Sequence, residues 1–524
     1  MDKCSGPSQG VSGKIVRNTI YNFFGRAWGA IVGLFLIPYI IHYIGLERFG
    51  LWAIMTVITG YFALFDCGIG STFVKFISDC YTKRDFGKIN RVINTGLLFY
   101  SIFGLVVMAV TLLFVHLFLG FFKIPPGLLS EAKFVVVAGV FLFVCNNALG
   151  PLSSIQSGLQ RMDISNKVAI GMSCLNVAGV VFFLKSGYGL NGLIINSIIL
   201  FGIVTVINVA IALRLVPSIR LGISFFDWPM MKALFNFGFR VQITKISGVI
   251  TAQTDKVLIV YFLSLGLVSF YQLGSGIVGS VIGISSVLIA ALIPAFTEIE
   301  SKGERIKLIE AYLMTTKYLA FLMVPAFIFL FISAFHIMSV WMGKGYERAA
   351  FIVQILALSS MINVIAQVAS STCLAIDKPQ LMARGSVIII VLNIILSFLF
   401  IKLMGFYGVA WGTMIASNAG TLYFLVTLHK ALGIPVRKFF QIIVPYCAAG
   451  IFAAAFVYVF DMLVNYIVIA PSRPLLFIML LARGIVFTAA YIPGIRFGKS
   501  MSANDILFLQ EKLPFARVII KSLA

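Results

Sequence analysis

The sequence predicts an all-α membrane protein with about 14 transmembrane helices. Two parallel six-helix repeats are expected to form two lobes around a central cavity, and two extra helices follow at the C-terminus. Three observations predict this fold: the composition, the apolar runs and an internal repeat. The 524 residues are 60% hydrophobic and 11% charged, with a mean hydropathy of +1.04. A soluble protein carries about 25% charged residues, so most of this chain is expected to lie in a membrane.

Apolar runs long enough to cross a bilayer define the individual helices. A spanning helix needs about 20 mostly apolar residues, and fourteen such runs occur. They lie near residues 19–41, 50–73, 92–121, 133–157, 167–184, 190–213, 237–262, 268–296, 311–334, 349–375, 385–401, 406–428, 440–462 and 475–495. The connections are short, and the longest, around 214–236, leaves no room for a separate soluble domain.

An internal repeat relates the second half of the chain to the first. Asparagine and serine residues recur at an offset near 217, in the same order in both halves. The matched residues are Asn146 with Asn363, Ser153-Ser154 with Ser370-Ser371, and Asn176 with Asn393. Each repeat holds six spans, so both copies enter the membrane from the same side. Some transporters have this architecture, with the site between two lobes near the midplane.

Lysine and arginine residues set the predicted orientation, because they are retained on the cytoplasmic side. With the N-terminus inside, inner segments hold 28 of the 40 lysine and arginine residues. This bias accounts for most of the net charge of +22. Membrane lipids are therefore expected as partners, and nucleic acid is not. A polar N-terminus before a long apolar run predicts that there is no cleaved leader.

These patterns predict six segments along the chain. They are a cytoplasmic N-terminal segment (1–18), an N-lobe of helices 1–6 (19–213), a cytoplasmic amphipathic linker (214–236), a C-lobe of helices 7–12 (237–429), helices 13 and 14 (430–495) and a cytoplasmic C-terminal tail (496–524).

Ionisable side chains inside the predicted spans are candidates for function, because each costs about 2.5–3.5 kcal/mol to insert. Arg26 in span one and Asp66 in span two both lie roughly 10 Å above the inner boundary, since a helix rises about 1.5 Å per residue. They are expected to pair. The pair can be a structural contact between neighbouring helices, or one that opens when a substrate anion or a proton arrives. Arg483, in the last span, is a further intramembrane cation.

Span seven carries a polar stripe along one helical face. The stripe consists of Thr244, Gly248, Thr251 and Asp255. Lys245 lies about a quarter-turn away and has no obvious acidic partner at its depth. This favours an anion site, against a structural role bonded to carbonyls or amides. Asp255 and Lys256 are sequence neighbours that point about 100° apart, so they satisfy each other poorly.

Polar residues recur at helical spacing in two further, repeat-related spans. Span four carries Asn146, Gly150, Ser153 and Ser157, and span ten carries Ser359, Asn363, Gln367 and Ser370. Hydrogen bonding between helices accounts for any single residue, at about 0.6 kcal/mol per contact. Two matching stripes also suit a hydrated lining that bonds sugar hydroxyls.

No pattern of catalytic or metal-binding chemistry is present. The stretch 493-PGIRFGKS-500 resembles a phosphate-binding loop, but proline replaces its first glycine and a membrane helix precedes it. The four histidines are scattered near span ends, and the seven cysteines have no zinc or disulfide spacing. We therefore expect no cofactor, no metal and no enzymatic activity.

Several motifs resemble the polysaccharide-biosynthesis branch of the MOP exporter superfamily, which includes the Wzx-type O-antigen and capsule flippases. The first third contains "GRAWGAIVGLFLIPYIIHYIGLERFGLWAI" and then "FALFDCGIGSTFVKFIS". Its most specific elements are "FGLW" and the D-x-G-x-G/S pattern of Asp66, Gly68 and Gly70. Span seven contains "TDKVLIVYFLSLGLVSFY", and "GFYGVAWGTMIAS" opens span twelve. Cys67 departs from the pattern, where leucine is commoner.

The resemblance implies a substrate and a transport mechanism. The substrate is a polyprenyl-diphosphate-linked oligosaccharide, which a cation-lined cavity flips across the bacterial inner membrane by alternating access. Arg26, Lys245 and Arg483 would neutralise the diphosphate, and the polar stripes, including Thr244 and Thr251, would solvate sugars. The polysaccharide polymerase and chain-length machinery are the implied protein partners.

Two other functions fit the same residues. One is an ion-coupled drug or metabolite antiporter of the same superfamily, which would tend to use an unpaired acid. The other is a non-transporting membrane scaffold for glycan enzymes. For ion coupling, Asp66 and Asp255, with its neighbour Lys256, are the candidates, and the sequence does not select the ion.

Overall fold

The computed structural model describes residues 11–66, 69–290, 292–467 and 472–498, and these residues form an all-α fold. The chain divides into two compact units between Ser269 and Phe270. The helices are α1 (Val11–Phe62), α2 (Ile69–Thr82), α3 (Phe86–Phe121), α4 (Leu129–Ala148), α5 (Gly150–Gly158), α6 (Met162–Lys185), α7 (Gly189–Leu215), α8 (Trp228–Phe262), α9 (Leu265–Ala290), α10 (Leu292–Ser301), α11 (Arg305–Trp341), α12 (Glu347–Ala375), α13 (Pro379–Met404), α14 (Phe406–Leu432), α15 (Arg437–Ile467) and α16 (Arg473–Phe497).

Twelve of the described helices are long and apolar enough to cross a membrane. This makes the protein a multi-pass membrane protein, but it does not confirm the predicted count of fourteen spans. Predicted span one falls in α1, and predicted span two begins in α1 and ends in α2. Helix α1 kinks at Gly45 (φ 77°, ψ 171°), a backbone conformation that favours glycine. Predicted span seven falls in α8, which is not among the twelve.

Helix boundaries in the two units repeat the sequence offset of 217. In unit 1, α7 covers Gly189–Leu215, and in unit 2, α14 covers Phe406–Leu432, so both ends match at that offset. The left-handed residues before α6 and α13, Gln160 (φ 56°) and Asp377 (φ 52°), are also 217 apart. The two units therefore contain equivalent turns and helices.

One hydrogen bond between neighbouring helices also recurs at the same offset. Between α6 and α7, Asn196 donates its side-chain amide to the side-chain oxygen of Asn176 at 2.9 Å. Between α13 and α14, Asn393 donates to the hydroxyl of Thr413 at 2.8 Å. Because Asn176 and Asn393 match at 217, as do Asn196 and Thr413, the polar contact occupies the same place in both copies.

The two copies differ where unit 1 breaks a helix that unit 2 keeps whole. Predicted span four is divided into α4 and α5 around Leu149, just before Pro151. Proline has no N–H and its ring clashes with the preceding turn, so the helical ladder stops there. The equivalent residue in unit 2 is Val368, and α12 runs through it without interruption.

The connection between α7 and α8 is held against α3 by two asparagines. Asn90 donates to the carbonyl of Ser218 and accepts from the N–H of Arg220, both at 2.9 Å. Asn94 donates to the Arg220 carbonyl at 2.8 Å and accepts from the N–H of Gly222 at 2.9 Å. Each amide thus satisfies a backbone donor and a backbone acceptor, which fixes this irregular segment.

Candidate functional site

The candidate site in unit 1 is built around a break between α1 and α2. The helix ends at Phe62 and resumes at Ile69, so predicted span two is interrupted. A helix end leaves carbonyls without partners, which is costly in a membrane. Gln242 of α8 is buried and donates its side-chain amide to the carbonyls of Ala63 and Leu64, both at 3.0 Å. Helix α8 therefore stabilises the break.

Asp66 lies in the break, and its carboxylate accepts a hydrogen bond from the hydroxyl of Tyr100 on α3. Tyr100 is 1% exposed and packs against Phe73 and Phe99, with ring centroids 6.1 and 5.1 Å away. In such a poorly solvated setting a charge-assisted hydrogen bond is strong. The partner predicted for Asp66 from the sequence was Arg26, whose side chain lies outside the described residues. That pairing stays a prediction.

The glycine at the end of the D-x-G-x-G motif has a steric role. A Cβ added to Gly70 would lie 3.1 Å from the Tyr100 hydroxyl and 3.6 Å from the Asp66 carboxylate. Glycine therefore leaves room for the tyrosine to reach the acid. Cys67 and Gly68 of the same motif lie outside the described residues.

The C-terminal half of α8 brings further polar groups to α1. The hydroxyls of Tyr61 and Thr254 lie 3.2 Å apart. Asp255 is fully buried, and the ammonium of Lys256, which is 8% exposed, donates to the side-chain oxygen of Gln253 at 3.3 Å. The hydroxyl of Thr251 is buried without a hydrogen-bond partner in the described part of the chain. Two acids, Asp66 and Asp255, thus lie on elements that pack together within unit 1.

Two candidate residues of predicted span seven cannot be placed in this site. The side chains of Thr244 and Lys245 lie outside the described residues, so their roles stay predictions. Gly248 is exposed on α8, and a Cβ added to it would meet no described atom within 4 Å.

Arg483, in unit 2, already has an acidic partner. Its guanidinium donates to the carboxylate of Asp461 at 2.7 Å and to the carbonyl of Ile332 at 3.3 Å, and the residue is 3% exposed. No sequence pattern indicated Asp461 as this partner. The pair joins α15 and α16 to α11, so the charge of Arg483 is compensated within its own unit. Its predicted contact with a diphosphate is untested.

The two repeat-related polar stripes each line a cavity inside one unit. In unit 1, Asn146 and Ser153 face about 340 Å³ of empty space between α4, α5 and α7. In unit 2, Asn363 and Ser370 face about 410 Å³ between α12, α13 and α14. Gln367 is half-buried on α12 and is not part of that lining.

Metal chemistry is not indicated by the described residues. Within them, no three His, Cys, Asp or Glu side chains come close enough to hold one metal ion.

The fold and its intramembrane polar groups are those of a helical multi-pass membrane protein. Residues 15–300 match the model of the family described as polysaccharide biosynthesis protein. The chain belongs to that family, as the sequence motifs predict. A Shigella flexneri protein provisionally named O-antigen transporter is 21% identical over 421 residues, which cover 79% of this chain and 98% of that protein. A Haloferax volcanii protein provisionally named low-salt glycan biosynthesis flippase Agl15 is 24% identical, with 36% of this chain and 40% of that protein covered.

Solved structures show the same fold. The lipid II flippase MurJ in an inward closed conformation superposes with a TM-score of 0.65 at 18% identity, covering 92% of this chain and 99% of that one. An inward-facing multidrug resistance MATE transporter of the MOP superfamily gives 0.61 at 16% identity, covering 79% and 95%. The relatives are transporters and flippases, so the prediction that the chain is not an enzyme is confirmed.

Proposed function

We propose that the protein is a flippase for polyprenyl-diphosphate-linked oligosaccharides. It would move them from the cytoplasmic to the outer face of the bacterial inner membrane by alternating access. The observation that carries the proposal is the match of residues 15–300 to the polysaccharide biosynthesis family. The transporter and flippase names of the two relatives and the MOP fold support it.

The physical requirements of such a substrate agree with the intramembrane residues. A diphosphate and a sugar chain cannot cross hydrocarbon unaided, whereas the lipid tail can remain in the bilayer. We assign Arg26 and Lys245 to the diphosphate, because both are cations inside predicted spans. Arg483 is a weaker candidate, since Asp461 already neutralises it.

A liposome assay tests the flippase proposal. The purified chain is reconstituted with fluorescently labelled polyprenyl-diphosphate oligosaccharide, and the fraction protected from an external quencher is followed over time. Each charged contact to the diphosphate contributes about 1.5–3 kcal/mol, so Arg26→Ala and Lys245→Ala should each slow translocation about tenfold or more. Lys402→Ala, which removes an exposed cation at the end of α13, is the matched control and should be neutral.

Other outcomes of the assay would select a different function. If the wild-type chain leaves the labelled lipid on its original face, it is not a flippase. Should surface glycan assembly nevertheless require the chain in cells, a scaffold role for glycan enzymes is favoured, with the polymerase and chain-length machinery as its partners.

An ion-coupled antiporter is the second candidate, and two intramembrane acids favour it. Asp66 and Asp255 both lie in or beside spanning helices of unit 1, where a carboxylate can bind a proton, a sodium ion or a cationic drug. The same liposomes, loaded with a cationic dye under a proton or sodium gradient, distinguish the two functions. Gradient-driven dye export without lipid movement would replace the flippase proposal.

A further inference from the structure

The two repeat-related asparagines differ in how much of their hydrogen-bonding capacity the protein uses. On α12, the amide of Asn363 donates to the carbonyl of Ser359 at 2.7 Å and to the hydroxyl of Ser417 at 2.9 Å. Its side-chain oxygen accepts from the hydroxyl of Thr421. Both ends of this amide are occupied, and the bonds join α12 to α14. Asn363 is therefore a contact between helices.

The equivalent residue on α4, Asn146, is much less occupied. Its amide donates to the carbonyl of Leu142 one turn earlier, at 2.8 Å, and its side-chain oxygen accepts no hydrogen bond from the described part of the chain. Ser153 donates only to the carbonyl of Gly150, at 2.9 Å. Both side chains are exposed. An exposed amide within a spanning helix is costly against hydrocarbon, so this face is expected to meet water or a polar ligand.

Helix α7 completes the cavity with polar and aromatic groups outside the two predicted stripes. It contributes Phe201, Thr205 and Asn208 to the same lining. The side-chain oxygen of Asn208 accepts a hydrogen bond from Gln156 at 2.8 Å. Its two N–H donors make no hydrogen bond within the described residues. The hydroxyl of Thr205 makes no hydrogen bond within the described residues. The cavity is thus lined by one aromatic ring and by hydrogen-bonding groups of both kinds that the described chain leaves free. The side-chain oxygens of Asn146 and Thr205 can accept, and the Thr205 hydroxyl and the Asn208 amide can donate.

This combination matches the chemistry of a sugar ring. Sugar hydroxyls both donate and accept hydrogen bonds, and the C–H face of the ring is apolar and packs on aromatic side chains. The space is only partly enclosed, so a sugar ring can lie against this lining from the open side. The described lining carries no acidic side chain, so a cationic drug would find no counter-ion there.

We propose that the cavity lined by Asn146, Ser153, Phe201, Thr205 and Asn208 in unit 1 binds a sugar residue of the transported lipid-linked oligosaccharide. The equivalent region of unit 2 is a structural contact instead. This inference rests on the proposed flippase function. It adds that the duplicated stripes have diverged, with the sugar contact kept in the first copy.

Binding of two lipids in nanodiscs tests the inference. One probe is the polyprenyl-diphosphate oligosaccharide pool extracted from the native cells, and the other is undecaprenyl diphosphate without sugar. The double variant Asn146→Leu/Thr205→Val keeps side-chain size but removes two hydrogen-bonding groups. Its affinity for the sugar-bearing lipid should fall about tenfold or more, and its affinity for the bare lipid should not change.

Matched variants serve as controls. Ser153→Ala should weaken only the sugar-bearing lipid, whereas Thr488→Ala, which removes an exposed hydroxyl of α16 that likewise bonds its own helix, should leave both affinities unchanged. Asn363→Leu should lower the melting temperature without altering the ratio of the two affinities. If the Asn146→Leu/Thr205→Val variant is folded and keeps the wild-type ratio, the inference is wrong even though the flippase proposal stands. If the wild-type chain binds both lipids equally, there is no sugar subsite. If it binds neither, the flippase proposal itself fails.

Discussion

Arg483 and Asp461 illustrate how a single charge is stabilised inside a membrane helix. The guanidinium is 3% exposed and donates to the carboxylate at 2.7 Å. Burying two charges is costly, and their attraction offsets that cost only while both are present. The same guanidinium also donates to the carbonyl of Ile332, so it links α16 to α11. These contacts favour a structural role for the pair.

A pair of variants separates a structural role for Arg483 from a role in binding substrate. Arg483→Leu alone leaves a buried carboxylate without its partner and should destabilise the protein by about 3–5 kcal/mol. The double variant Arg483→Leu/Asp461→Leu removes both charges and should recover most of the stability, together with wild-type transport. Melting temperature and the liposome assay measure the two effects. A double variant that is stable but inactive would show that Arg483 binds the substrate.

At this scale the sequence identifies charges more readily than their partners. Arg483 is evident as a cation in an apolar run. Asp461 lies near the end of predicted span thirteen, at residue 462, where an acid needs no partner. Helix α15 continues to Ile467, so Asp461 lies deeper in the helix than predicted. Likewise, Asp66 is evident from sequence, whereas Tyr100 is not, because its contact depends on how α3 packs against the break.

Among the helices, α16 is attached to α11 by a series of hydrogen bonds to backbone carbonyls. Arg473 donates to Met342 at 2.7 Å, and Tyr491 donates to Phe321 at 3.2 Å. Phe321 is four residues before Pro325, which has no N–H to offer this carbonyl. The tyrosine of α16 therefore supplies the donor that the proline removes.

This compensation can be tested with a double-mutant cycle. Tyr491→Phe should destabilise the protein by about 1–3 kcal/mol, because the Phe321 carbonyl is left unpaired in an apolar setting. Pro325→Ala restores a backbone donor, so Tyr491→Phe should cost less in that background than in the wild type. Melting temperatures of the wild type, the two single variants and the double variant give the interaction free energy between Tyr491 and Pro325. Equal costs in the two backgrounds would mean that the tyrosine does not compensate for the proline.

Helix breaks show which features of an element a sequence can reveal. Apolar length places most helices, and Pro151 explains why α4 ends where it does. The break between α1 and α2 contains no proline, and it persists because Gln242, far along the chain, bonds the carbonyls that it exposes. A tertiary contact of this kind leaves no local pattern, so the sequence predicted one continuous span.

For the whole molecule, the distribution of lysine and arginine predicts the orientation in the membrane, with both termini cytoplasmic. Cysteine labelling can test this orientation. The seven native cysteines are first replaced, and single cysteines are then introduced at chosen positions. Lys344→Cys and Arg348→Cys should react with a membrane-impermeant maleimide in intact cells. Lys88→Cys and Lys438→Cys, at positions that are also exposed, should react only after permeabilisation. The opposite labelling pattern would reverse the predicted topology.

The fold class and the family followed from the sequence because they depend on features repeated along the chain. Fourteen apolar runs and a common offset are redundant signals, and an error in one run does not change the class. The predicted lobe boundaries, 19–213 and 237–429, remain predictions. Individual sites depend instead on single contacts such as that of Asn363 with Thr421, which is why the two polar stripes looked alike in sequence.

The constant offset of 217 from Gln160 to Leu215 limits how the two copies can have changed since they arose. Adding or deleting one residue in a helix rotates every later side chain by about 100°. Such an insertion in α6 after Asn176, or in α7 before Asn196, would turn one amide away from the other. The two copies differ by substitution in this stretch, as threonine at 413 shows, and they have the same length.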